Sequence, residues 1–188
     1  MTNFGKYDIP IFKDDLTTIK EYFRIALNTI FFHRWLGQTN YIDTKSIFNS
    51  ITYIKIQNDA FQKAIDSTLS QLEKSIHRSK SCMIQINFYQ KKVNKFYIIQ
   101  ELENLWESWR FLFIVNPHSE MLTLQKESKI REYLAFILDK LNDKYDFMPD
   151  FDPEDTSMLP EETFPYEIII NSNVSDKEFM AYPKELNC

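Results

Sequence analysis

Glycine is nearly absent from this chain, with two in 188 residues. That scarcity argues against a glycine-rich cradle for phosphates and against folds built on many positive-φ turns. Cysteine is equally scarce. Cys82 opens a strand-like stretch and Cys188 is the last residue, so a structural disulfide is not expected and a reducing, cytoplasmic setting fits. The three histidines, His33, His77 and His118, fall on separate elements without metal-ligand spacing, so neither a metal nor a cofactor is expected. Nucleophile motifs built on serine or cysteine are missing as well. Positive charge is not in excess: the formal net charge is −5 and the pI near 5.3, which gives no field for nucleic acid or anionic lipid. No window has the length of uncharged apolar sequence that a transmembrane segment needs, and Met1 to Tyr7 is too polar for a signal peptide. The acidic run from Asp150 to Glu162 lacks the spacing and the glycine of a calcium loop. These absences leave no recognisable catalytic chemistry.

Aromatic residues are plentiful: 16 Phe, 10 Tyr and 3 Trp within a 44% hydrophobic chain. This composition suits one globular domain over residues 1–188 with a substantial core. The strongest strand signals are Met83 to Tyr89 and Trp106 to Val115. In the first, Ile84, Ile86 and Phe88 alternate with Gln85, Asn87 and Tyr89. In the second, Trp109, Phe111, Phe113 and Val115 share one face, while Trp106 is expected on the face opposite Trp109. The two runs are expected to pair antiparallel as the middle of a sheet.

Three helical patterns surround this pair. The first starts at Asp14 or Asp15, carries Leu16, Ile19, Phe23, Ala26, Leu27 and Ile30 as its apolar stripe, and has Gly37 as its natural stop. Asn58 or Asp59 caps the second, whose stripe is Phe61, Ile65, Leu69, Leu72 and Ile76. The third lies within Ser119 to Tyr145 and buries Ile130, Tyr133, Leu134, Ile137 and Leu141. Weaker strands are expected over Phe4 to Phe12, near Tyr41, and at Phe179 to Tyr182, with stronger ones at Ile51 to Ile56 and Tyr166 to Asn171. Phe147 to Pro165 reads as a proline-marked acidic loop. The fold class is α+β: a mainly antiparallel sheet backed by three helices.

Four stretches in this order resemble the autophagy-related protein 101 family of HORMA-domain proteins. They are Phe32-His33-Arg34 at the end of the first helix, Thr52-Tyr53-Ile54-Lys55-Ile56, Ile86-Asn87-Phe88-Tyr89-Gln90-Lys91-Lys92, and Trp106-Glu107-Ser108-Trp109. The resemblance spans most of Phe12 to Asn171. It implies a HORMA fold whose C-terminal strands are similar to the mobile safety belt of that family. It also implies a non-enzymatic adaptor of the autophagy-initiation kinase complex, located in the cytoplasm and at the phagophore assembly site. Such a subunit pairs with the HORMA domain of autophagy-related protein 13 and stabilises it. His33, Arg34 and Trp35 are the candidate partner interface.

Many family members carry an exposed Trp-Pro-Phe finger after the Lys-Lys pair, where it recruits downstream factors. Here the matching stretch is Val93-Asn94-Lys95-Phe96-Tyr97. Phe96 and Tyr97 either substitute for that finger or belong to an ordinary strand packed inward. A second functional expectation is a peptide-clasping HORMA module of the checkpoint type, although about two dozen residues follow Pro165, a short belt for wrapping a ligand.

Overall fold

The computed structural model describes residues 5–35, 39–92, 101–142, 164–172 and 174. At its centre β5 (Ser81–Lys92) runs antiparallel to β6 (Glu101–Val115), as the two alternating runs predict. Ile84, Ile86 and Phe88 of β5 are fully buried on the side that also receives Trp109, Phe111 and Phe113 of β6. β7 (Tyr166–Asn171) adds antiparallel to the free side of β5.

On the far side of β6 the chain does something the alternation does not announce. The weak strand expected over Phe4 to Phe12 is two short strands, β1 (Gly5–Asp8) and β2 (Phe12–Asp14), both parallel to β6. The break falls around Pro10, which has no N–H to give to a ladder. Ile9 keeps the register through an N–H bond to the Arg110 carbonyl before Phe12 rejoins opposite Phe113. The sheet order is β1-β6-β5-β7, with β2 also on β6.

The helices cover one face of this sheet. Helix α1 (Leu16–His33) begins at Asp15, whose carboxylate accepts from the Thr18 N–H at 2.9 Å and from its hydroxyl at 3.0 Å. Its stripe is buried as the spacing predicts, apart from Leu16, which is half-buried. Tyr22 stacks on Phe12 with ring centres 4.3 Å apart, and Phe23 meets Phe111 and Phe113 edge-on at 5.2 Å each. Helix α2 (Asp59–Ser79) is capped by Asn58, whose Oδ1 accepts from the Phe61 N–H at 2.9 Å. Lys80 closes it at φ 60°, bonding back to the Ile76 carbonyl. Helix α3 (Thr123–Asn142) buries Ile130, Tyr133, Ile137 and Leu141. β3 (Tyr41–Lys45), where a loop with a short strand near Tyr41 was expected, pairs antiparallel with β4 (Thr52–Ile56) as a separate two-stranded sheet. Gly37, the acidic loop over 147–163 and the strand expected at Phe179 to Tyr182 lie outside the described residues.

Candidate docking surface at the end of the first helix

The last turn of α1 points three neighbouring side chains in different directions. His33 is exposed, and its Nδ1 lies 2.8 Å from the Thr29 carbonyl, a contact that requires the hydrogen to sit on Nδ1. Arg34 turns inward. Trp35 is half-buried, its ring edge-on to Phe61 at 5.8 Å. α1 ends at His33, ahead of Gly37, with Arg34 as its C-cap donating to the Phe31 carbonyl at 3.0 Å.

Beside this turn lies the β3–β4 hairpin. Phe32 meets Tyr41 edge-on at 5.4 Å and His33 at 5.7 Å, which joins helix and hairpin into one aromatic surface. Tyr41 is 55% exposed and Ile42 44% exposed. Among the described residues β3 pairs with β4 alone, so its second edge has no strand beside it. Two buried polar side chains of α1 fix the hairpin in place. Asn28 Oδ1 accepts from the Ile56 N–H and from Gln62 Nε2, both at 3.2 Å, while Glu21 Oε1 accepts from the Ile47 N–H at 3.0 Å. Neither is visible as a site in the sequence. Their signal is a polar residue inside the apolar stripe of a helix, which requires a partner when buried.

Arg34 is clasped from the sheet. Its Nε reaches both carboxylate oxygens of Glu107 at 3.0 Å and its Nη2 donates to Oε2 at 2.7 Å. Trp109 Nε1 donates to the same carboxylate at 2.5 Å, and the Arg34 guanidinium lies 5.7 Å from the Trp106 ring centre. Both charged groups are buried. Glu107 shares the face of Trp109 because the two stand two residues apart on β6. A glutamate at an inward position of an aromatic strand was the available clue to a buried cation opposite.

Trp106 corrects the sequence expectation. Alternation places it on the face away from Trp109, yet both tryptophans are buried in the helix-side core. A β-bulge is the reason: Phe88 pairs with Glu107 and Tyr89 with Leu105, so Trp106 is the extra residue of the pair. The bulge turns Trp106 inward beside Glu107, where it packs on Phe88 at 6.0 Å and on Phe164, just ahead of β7, at 4.9 Å. The indole N–H groups of Trp35 and Trp106 are both buried without a hydrogen-bond partner among the described residues.

Phe96 and Tyr97, the candidate recruiting finger, lie outside the described residues. His77 sits on the exposed flank of α2, 3.9 Å from Glu73, and His118 lies exposed after β6, so neither joins His33. Among the described residues no cluster of histidine, cysteine and carboxylates has a metal-holding arrangement, and no helix is long and apolar enough to cross a membrane. The Cys82 thiol is pushed up to about 11 by burial, partly offset by a hydrogen bond with Ser75, so it is protonated and a poor nucleophile at neutral pH.

The family model for autophagy-related protein 101 matches residues 12–155. Autophagy-related protein 101 of Arabidopsis thaliana is 29% identical, over 86% of this chain and 84% of its own length. Together with three helices on a mainly antiparallel sheet, which is the HORMA type of α+β fold, these matches place the chain in the autophagy-related protein 101 family.

Proposed function

We propose that this chain is a non-enzymatic adaptor of the autophagy-initiating kinase complex, and that it pairs with the HORMA domain of autophagy-related protein 13 and stabilises it. The docking surface is the end of α1 with the adjoining hairpin: His33 and Trp35 on one side, Tyr41 and Ile42 on the other. The observation that carries this reading is the continuity of exposed and half-buried rings from His33 through Phe32 to Tyr41, beside a strand edge with no neighbour among the described residues. Aromatic area of this kind supplies affinity at interfaces, with polar groups at the rim setting register. Arg34 serves the surface from beneath. Phe96 and Tyr97 are assigned the recruitment of downstream factors, with the complex working in the cytoplasm and at the phagophore assembly site.

Size-exclusion chromatography with light scattering, on the chain alone and mixed with the partner's HORMA domain, tests the pairing. A stable one-to-one complex is expected. The Trp35→Asp and Tyr41→Asp variants are expected to elute apart from the partner while keeping their circular dichroism. Two folded proteins that never associate would sink the pairing and favour the peptide-clasping alternative.

A further inference from the structure

We infer that Glu107, held inward beside the β-bulge of β6, is a positioning residue for the docking surface: it locks the end of α1 through Arg34 so that His33 and Trp35 are presented in one fixed geometry. This inference rests on the docking surface proposed above. Three observations carry it.

The first is the number of bonds that converge on one carboxylate. Three come from Arg34 and one from Trp109, so rotation of the Glu107 side chain is opposed from two directions. A guanidinium is planar, and a forked pair with a carboxylate fixes direction as well as distance.

The second is where the pair sits. Arg34 is the C-cap of α1, the point where the backbone leaves helical geometry. Its neighbours on either side are His33, which is exposed, and Trp35, which is half-buried against Phe61. Fixing Arg34 therefore fixes both.

The third is that burial stability is a poor reason for the pair. Replacing a buried ion pair by apolar groups of similar volume is often neutral or stabilising, so stability alone does not account for the charged version. The bulge brings Trp106 inward, its ring centre 5.7 Å from the guanidinium and within cation–π range.

The test uses the full chain and two variants. Arg34→Met combined with Glu107→Gln removes both charges together, keeps an acceptor for Trp109 Nε1 and leaves no lone buried ion. Arg34→Lys keeps the charge and loses the fork. Amide hydrogen exchange is read by NMR on the free chain, and partner affinity by calorimetry. In both variants the amides of Ile84, Ile86 and Phe111 are expected to exchange as in the wild type. Those of His33 and Arg34 are expected to exchange at least tenfold faster, with partner binding at least fivefold weaker. Unchanged exchange at His33 and Arg34 overturns the lock. Faster exchange with undiminished binding overturns its role in docking. A wild-type chain that fails to bind removes the docking reading itself, while the exchange comparison on the free chain still decides whether Glu107 fixes the helix end.

Discussion

The two faces of the central sheet are built on different rules. The helix-facing side is filled by volume: Ile84, Ile86, Phe88, Trp109, Phe111 and Phe113 interlock with the apolar stripes of the helices. The other side is organised by matching donors to acceptors. Asn87 Oδ1 accepts from Gln85 Nε2 and from the Ser108 hydroxyl, both at 2.8 Å, and the Tyr89 hydroxyl donates to Glu167 at 3.0 Å. Arg110 pairs with Asp8 along the same face, where Met83 and Leu112 under Ile11 and Val174 form a small apolar spot. One face tolerates changes that conserve volume, and the other tolerates changes that conserve hydrogen bonds.

Four substitutions sharpen that contrast. Trp109→Ala removes a fully buried ring that lies 4.4 Å from Tyr7 and donates to Glu107. It is expected to cost about 4 kcal/mol in urea unfolding, through lost transfer energy and the cavity left behind. Arg34→Ala strands Glu107 as a lone buried charge on the apolar side, and roughly 3 kcal/mol is expected in the same assay. On the polar face, Asn87→Ala leaves the Ser108 hydroxyl and the Gln85 amide without their acceptor, for about 1.5 kcal/mol. Tyr89→Phe deletes one partly exposed hydroxyl and is expected to cost about 0.5 kcal/mol. A Tyr89→Phe loss comparable to that of Trp109→Ala would erase the distinction between the faces.

The amino end of α1 gives the pH counterpart. Burial acts to raise the Asp15 carboxyl, but hydrogen bonds from Lys126 and Thr18, with the Lys126 charge, outweigh it and hold the group below its usual value of 3.8. Its stabilising share is therefore present above that value and is lost as pH falls through the depressed one. Asp15→Asn, which retains a good cap but loses the Lys126 ion pair, is expected to lower stability at neutral pH by that share and to converge with the wild type as pH falls through the depressed value, so that the acid limb is flatter.

Much of the volume-filled face was legible. The period of two on β5 and β6, the stripes of the three helices and the caps at Asp15 and Asn58 all follow from residue type and spacing. Trp106 was misplaced because a bulge inserts one residue and reverses parity, and the partner register that reveals it is not written in the local sequence. Asn87, on the polar side of the first alternating run, is buried and bonded to the buried Ser108, since polarity alone does not tell a solvated face from a hydrogen-bonded one. Of the docking surface, His33, Arg34 and Trp35 were visible through resemblance. Glu107, Asn28 and Glu21 were not singled out, because each depends on a partner distant in the chain: residue 34 for Glu107, residues 56 and 62 for Asn28, residue 47 for Glu21.

The parallel pairing of β1 and β2 with β6 has a consequence for how the chain is made. Gly5 finds its partner at Glu107 and Phe12 at Phe113, so these two strands, once synthesised, wait for about a hundred more residues. At synthesis rates of about 5–20 residues per second, that is roughly 5–20 s during which an apolar segment holding Tyr7, Ile9 and Phe12 has no sheet to join. Closing so long a loop is also the slow kind of contact. Completion of this edge of the sheet is thus timed by translation itself, and a holding chaperone has its clearest opportunity at the amino terminus.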